Sequence, residues 1–380
     1  MTLQVRAITA EQHDAWIATR PYVSFLQVPQ WGAVKVGWRS ESLGWFDGSR
    51  LVGAGLILYR GVPRLPQRSL AYLPEGPDLA WASDRPIEHW LDPLIQHCRH
   101  RGAFTIKMGP PVVRRQWSAE TVKAAVTKCE AGSGPRRLSD VPPDVTDAAG
   151  ERLIGALQAA GWKQSGSGGF GDVQPRFVFQ LPLADRSVND LLTGLNQLWR
   201  RNIRRAQSAD VTVRLGDVND LADFHHIYLE TADRDNFTPR GLAYFVRMWD
   251  VLSAAPHVTP RLFLAERSGH LAAATLMIQV GNRAWYSYGA STTADRDARP
   301  SNAAQWAMIL AAHEAGCDVY DLRGIVDSVD PSDPLFGLIQ FKLGTGGRAI
   351  EYIGEWDYTV RPAWARAYAL YQRRSQGGHG

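Results

Sequence analysis

One order of structural signals occurs twice in this chain, and no other feature restricts its fold as much. Residues 42–47 read as a strand, Asp47-Gly48 as a hairpin turn and residues 51–59 as the returning strand. A further strand at 69–73 precedes a helical pattern at 87–100 and a short apolar strand at 103–107, which ends in Met108-Gly109-Pro110. The second copy puts a strand at 261–265, a turn at Ser268-Gly269 and strands at 271–280 and 283–288. A helix follows at 302–315, with Ser301 as its N-cap and Gly316 past its end, and then a strand at 319–322 that runs into Arg323-Gly324. Hairpin, strand, helix, strand is one α/β unit, and its recurrence predicts a duplicated α/β chain. A length of 380 residues suits two cores better than one.

Composition narrows the class. Hydrophobic residues make up 45% and charged residues 21%, enough apolar surface for two cores and too little charge for disorder. No apolar run reaches the ~18–20 residues of a bilayer span. Residues 1–10 lack the basic-then-apolar layout of a signal peptide, so the expected location is the cytoplasm. Cys98, Cys129 and Cys317 are odd in number and form no CxxC pair, which argues against a disulfide frame or a structural zinc. His97, Cys98 and His100 read as a solvated helix face. No metal and no cofactor is expected. The net charge of +4 permits a polyanionic partner, and its distribution says more: Arg200, Arg201, Arg204 and Arg205 crowd into residues 197–207. Gly- and Pro-rich stretches at 131–150 and 165–174 punctuate the middle of the chain, with a helical pattern at 151–160 between them.

The repeated order resembles the core of GNAT-type acyltransferases. A coenzyme-A site in such a core would need a Gly-rich turn running into a helix N-terminus that holds the pyrophosphate. The matching segment, Ala294-Asp-Arg-Asp-Ala-Arg-Pro-Ser301, has no glycine, and the first copy lacks the loop as well. An acyl donor other than a CoA thioester is expected.

The last third holds the most specific pattern. Asp321-Leu-Arg-Gly-Ile-Val-Asp327 is followed by Pro334-Leu-Phe-Gly-Leu-Ile-Gln-Phe-Lys-Leu-Gly-Thr-Gly-Gly347 and by Glu351-Tyr-Ile-Gly-Glu-Trp-Asp357. This series resembles the Fem family of aminoacyl-tRNA-dependent peptidyltransferases. Gln30-Trp31 with Lys35, Val173-Gln174-Pro175, Trp199 to Ala206, Thr231 to Arg240 and Tyr286-Ser-Tyr-Gly-Ala-Ser291 match further blocks. The short stretch between Arg205 and Val211 resembles the FemX-like form that lacks a coiled-coil insertion. The resemblance implies an α/β fold of two tandem GNAT-like acyltransferase domains, with mixed sheets flanked by helices. Residues 1–176, completed by 360–380, would form the first domain and 177–359 the second. It also implies transfer of an amino acid from aminoacyl-tRNA to an amino group of a peptidoglycan precursor, either a UDP-muramyl peptide or its lipid-linked form. The protein would then be a monomer, touching a membrane peripherally if the acceptor is lipid-linked.

The resemblance assigns roles residue by residue. Lys342 is the expected catalytic residue, an ammonium that stabilises the oxyanion formed at the ester carbonyl. Phe341 beside it would pack on the adenosine or the acyl chain. Lys35 and the pair Arg234 and Arg240 would bind precursor phosphates. Tyr286 and Tyr288, separated by Ser287 on a strand, are expected on one face, aimed at the peptide. Arg200 with Arg204 and Arg201 with Arg205 would form two stripes that meet tRNA phosphates. The turn at 344–347 lacks the Lys-Ser/Thr ending of a phosphate loop and reads as close backbone packing. Gly109 stands where some relatives carry an Asp, so no general base is named; Asp327 and Glu355 are the nearby carboxylates in the motifs. Rival readings are aminoacyl transfer onto a peptide antibiotic, a CoA-dependent N-acyltransferase, and a non-catalytic module that binds tRNA or precursor.

Overall fold

A computed structural model describes residues 3–63, 65–166 and 173–376; the glycines expected in a loop at 168–171 fall outside the described residues. The chain begins β1 (Gln4–Ala7), α1 (Ala10–Ile17), α2 (Trp31–Val34), β2 (Arg39–Asp47), β3 (Arg50–Val62), β4 (Leu65–Leu73), α3 (Ile87–His100), β5 (Ala103–Met108), β6 (Val113–Ser118), α4 (Ala119–Glu130), β7 (Val145–Thr146), α5 (Ala148–Ala159) and β8 (Lys163–Gln164). It continues β9 (Phe177–Pro182), α6 (Val188–Gly194), α7 (Gln197–Ser208), β10 (Thr212–Gly216), α8 (Leu221–Arg234), α9 (Leu242–Ser253), β11 (Val258–Arg267), β12 (His270–Val280) and β13 (Arg283–Ser291). Then come α10 (Pro300–Glu314), β14 (Val319–Gly324), α11 (Phe336–Leu343), β15 (Arg348–Tyr352), β16 (Trp356–Thr359) and α12 (Pro362–Gln376).

These elements gather into two units. The first comprises Met1–Arg115, Thr146–Arg176 and Glu351–Gly380, the second Gln116–Val145 and Phe177–Ile350. The sequence division placed 116–145 in the first domain and 351–359 in the second. Packing sorts them otherwise. Trp117, Val122 and Leu138 join the core built on Phe177 and Phe179, while β16 pairs with β5 and β8.

Among the described residues of the first unit, seven strands run in the order β1-β2-β3-β4-β5-β16-β8. β2 and β3 form a hairpin around Gly48, whose φ of 62° suits a residue without Cβ. β4 and β5 are parallel, so they need a crossover, and α3 supplies it. Ile87, Trp90, Leu91, Leu94, Ile95 and Cys98 recur at helical spacing and are the residues α3 buries against Trp45, Ile57 and Ile106.

The second unit repeats the plan in a sheet ordered β10-β11-β12-β13-β14-β9-β15-β6-β7. β13 and β14 are parallel, joined by α10. Ser301 does not cap that helix. It begins earlier, with Pro300 as its first residue and Arg299 left-handed at the N-cap, because the fixed φ of proline is already helical. Gly316 follows its end at φ 71°. Residues 209–211 alone connect α7 to β10, so no insertion stands there.

Candidate functional site

The last turn of α11 carries Lys342 inward. Its side chain is 3% exposed, and Nζ donates to the carbonyls of Gly324 (2.6 Å) and Arg323 (3.4 Å) at the end of β14. Arg323 is left-handed (φ 64°), and its N–H bonds the Asp321 carboxylate at 2.7 Å. Burial, seconded by the Arg323 charge and opposed by Asp321, lowers the Lys342 amine to a pKa of about 7. A lysine held there changes charge near neutrality.

The neighbouring turn is shaped by contact. A Cβ at Gly344 would lie 2.0 Å from the Trp199 indole, one at Gly346 (φ 74°) 2.3 Å from the Gly194 carbonyl, and one at Gly347 2.3 Å from that of Gln180. These glycines let the turn press onto α7, the end of α6 and β9, which is the close packing expected of them. Phe341 faces Trp199, with ring centroids 4.7 Å apart, and its carbonyl accepts from the indole N–H at 2.8 Å. The Lys342 segment and the arginine helix are thereby one packed assembly.

The four arginines of α7 separate. Arg200 is partly buried and bonds the carbonyls of Thr193 and Leu195, closing the end of α6. Arg201 and Arg204 are exposed, and Arg205 is 3.8 Å from Asp297.

Tyr286 and Tyr288 do not share a face. Tyr288 opposes Leu276 and Tyr286 opposes Met277, so Ser287 is an extra residue in the ladder, a β-bulge. One inserted residue reverses the alternation. Tyr286 packs with the core toward α10, where Gln305 bonds the Tyr320 hydroxyl at 2.8 Å, and burial pushes the Tyr286 phenol up to about 12. Tyr288 lies on the other face among Tyr228, Tyr244 and Phe245, its hydroxyl 3.1 Å from that of Tyr244. Arg240 sits over the Tyr244 ring at 4.6 Å, which joins it to Tyr288. Arg234 donates to the Ser291 carbonyl at 2.9 Å and pairs with Asp235.

In the second unit the β13–β14 ladder lasts only from Arg283–Val319 to Trp285–Asp321. Beyond it Tyr286 on one strand and Arg323 and Gly324 on the other are no longer paired to each other. Divergence at the carboxyl ends of parallel strands is where open α/β sheets collect their sites.

The first unit holds Lys35, whose Nζ lies 5.5 Å from the Trp31 ring. It also holds a cluster that residue patterns did not disclose. Tyr72 donates to Glu355 at 2.6 Å; that carboxylate is 4% exposed. Burial, then the Glu355 charge, push the Tyr72 phenol well above its usual range. Lys107 donates to Ser165 at 2.6 Å and pairs with Asp357 at 3.0 Å. A Cβ at Gly109 would come 2.9 Å from Glu355 Cγ. The space beside position 109 is thus occupied by a carboxylate from elsewhere in the chain. The clues in the sequence were Gly109 and the motif carboxylate Glu355. Asp327, the other carboxylate of the motifs, bonds Ser139 at 2.7 Å. His97 meets Glu41 at 3.1 Å and Cys98 is buried. No group of three or more metal-ligating side chains gathers among the described residues. None of the described helices is long and apolar enough to cross a membrane.

The same arrangement occurs in known proteins. A crystal structure of FemX superposes with a TM-score of 0.77 at 21% identity, over 96% of this chain and 99% of that one. A tandem GNAT protein from the clavulanic acid biosynthesis pathway does so with a TM-score of 0.53 at 12% identity, over 94% and 98%. The fold is therefore the tandem GNAT arrangement that the repeated order implied. A lipid II:glycine glycyltransferase of Staphylococcus saprophyticus is 24% identical across 93% of this chain and 92% of its own length. One from Staphylococcus epidermidis is 22% identical over the same shares. The pattern of the FemAB family matches residues 8–258 and 263–373, nearly the whole length, and the chain belongs to the FemAB family.

Proposed function

We propose that this protein transfers the aminoacyl group of an aminoacyl-tRNA to an amino group on the stem peptide of a peptidoglycan precursor. Membership of the family and the names of the two curated relatives support a transferase acting on such a precursor, and the relatives' names make the lipid-linked form the first acceptor to test. The observation that carries the reading is Lys342: a buried amine, on backbone carbonyls, where two parallel strands part.

The chemistry asks little else. The acceptor amine attacks the ester carbonyl of the charged tRNA, an N–C bond forms, and the carbonyl oxygen takes the negative charge. The C–O bond to the ribose then breaks, and the proton lost by the amine ends on the ribose oxygen. The ester is already activated, so positioning and charge stabilisation supply the acceleration. Lys342 in its charged form stabilises the oxyanion. Phe341, held by Trp199, provides an aromatic surface for the donor end. Arg201, Arg204 and Arg205 face tRNA phosphates, and Arg200 supports the helix that presents them. Lys35, Arg234 and Arg240 bind precursor phosphates, and Tyr288, on the Arg240 face, contacts the acceptor. Tyr286 serves the donor side. The enzyme works as a monomer in the cytoplasm and meets the membrane surface through its acceptor.

Incubation of the purified protein with a pool of charged tRNAs and either lipid II or UDP-muramyl pentapeptide, read by product mass, tests the reading. One added amino acid on the stem peptide, lost on RNase treatment, is expected. Transfer that survives RNase would refute the tRNA donor, and no product on either muramyl acceptor would refute the acceptor.

A further inference from the structure

α10 runs for fifteen residues, and no side chain caps its start. Its third residue, Asn302, is 5% exposed. The amide oxygen of Asn302 accepts from Asn202 of α7 at 3.4 Å, while Nδ2 has no hydrogen-bond partner among the described residues. Leaving a buried amide N–H unpaired is costly, so this group calls for an acceptor that the fold does not supply. The side of α7 that carries Asn202 also carries Arg205 and, one turn earlier, Arg201. Both are exposed, as are Arg296 and Arg299 just before α10. The acids close by do not balance them. Asp295 is already held by Arg267, His270 and Thr292, and Asp297 alone stands near Arg205. Arg200 and Arg204 lie toward the other side of α7, and Arg200 is committed to the end of α6.

A positive helix N-terminus, an unpaired buried donor and a row of exposed arginines that outnumber the one acid near Arg205, Asp297, select an anion. Two arginines a turn apart extend the positive surface past a single anion, as a polymer of phosphates requires. We infer that the start of α10 and the Arg201–Asn202–Arg205 side of α7 bind backbone phosphates at the 3′ end of the donor RNA. This deepens the proposed function, on whose tRNA donor it rests.

The test measures binding of a fluorescent RNA hairpin with a single-stranded 3′ end, by polarisation across a salt series. Asn302→Asp is isosteric, and the helix N-terminus offsets part of the cost of burying its carboxylate, so the variant folds with a modest fall in Tm at most. It turns the donor into a negative charge. At least a tenfold loss of affinity is expected. Arg201→Ser with Arg205→Ser should weaken binding and flatten the slope of log K against log salt by about 1.5, the loss of two phosphate contacts. Arg152→Ser, an exposed arginine of α5, should leave that slope unaltered. If the hairpin binds and neither Asn302→Asp nor the double variant changes it, the site is overturned while the tRNA reading stands. A wild-type protein that does not retain the hairpin at all overturns both. Displacement of the hairpin by equimolar coenzyme A would assign the site to a free pyrophosphate and overturn the RNA assignment.

Discussion

In the first unit β4 and β5 stay paired from Ser69–Ala103 to Leu73–Met108, whereas in the second β13 and β14 part after Trp285 and Asp321. Both pairs are parallel and both are bridged by a helix, so the plan is shared and the endings differ. Where the strands stay together, the polar groups at their ends close on one another: Tyr72 on Glu355, Lys107 on Ser165 and Asp357. Where they part, the carbonyls of Arg323 and Gly324 take an ammonium as partner, and a lysine is brought to a pKa near neutrality. A duplicated fold can therefore keep one copy of a ladder shut as a polar core and open the other around a buried lysine.

Removing the cation is the sharpest way to break this contrast. Lys342→Met should lower single-turnover transfer from charged tRNA by about 10²–10³-fold, the usual worth of one oxyanion donor. Its Tm should hold or rise, because an apolar chain replaces a buried amine. Unchanged transfer would remove Lys342 from the mechanism. In the closed ladder, Gly109→Asp would press a second carboxylate against Glu355 and should cost about 2–4 kcal/mol in chemical denaturation. In the open ladder, a Cβ from Gly289→Ala would lie 1.9 Å from the Tyr286 hydroxyl and 2.7 Å from its Cζ, so the tyrosine must shift; a loss of about 1–2 kcal/mol is expected. Equal costs at the two glycines would erase the distinction between shut and open.

The pH dependence refines the same point. The Lys342 pKa falls on folding from 10.5 to about 7, so between those values the unfolded chain binds more protons. Stability should then rise with pH from about 7 to about 10 and level off below 7, where both states hold the proton. The slope should be absent in Lys342→Met. Transfer that needs the ammonium should fall as pH rises through about 7, and Lys342→Arg, if active, should lose that limb. The smallest effect is at Tyr288→Phe, which gives up the hydrogen bond to Tyr244 and should cost about 0.5–1.5 kcal/mol.

Much of this architecture was legible from local pattern. The apolar stripe of α3 placed that helix at 87–100, where the structure has it, and Asp47-Gly48 and Ser268-Gly269 marked their hairpins, because helix period and turn chemistry are written in neighbouring residues. The motif around Phe341 and Lys342 singled out a lysine that the structure buries, and the glycines at 344–347 announced close packing.

The rest is settled between distant segments. That Tyr286 and Tyr288 point apart depends on a bulge, and a bulge exists only relative to the partner strand β12. That Arg200 differs from Arg201 and Arg205 depends on the carbonyls of α6 and on the seam with α10. That Glu355 fills the space beside Gly109 depends on β5 and β16 lying side by side although some 250 residues separate them. By itself the sequence determined which elements form, how they repeat and which residues are chemically able. The tertiary structure decided which of those residues are buried, which face each takes and which charge meets which partner, because burial and field are properties of neighbours in space.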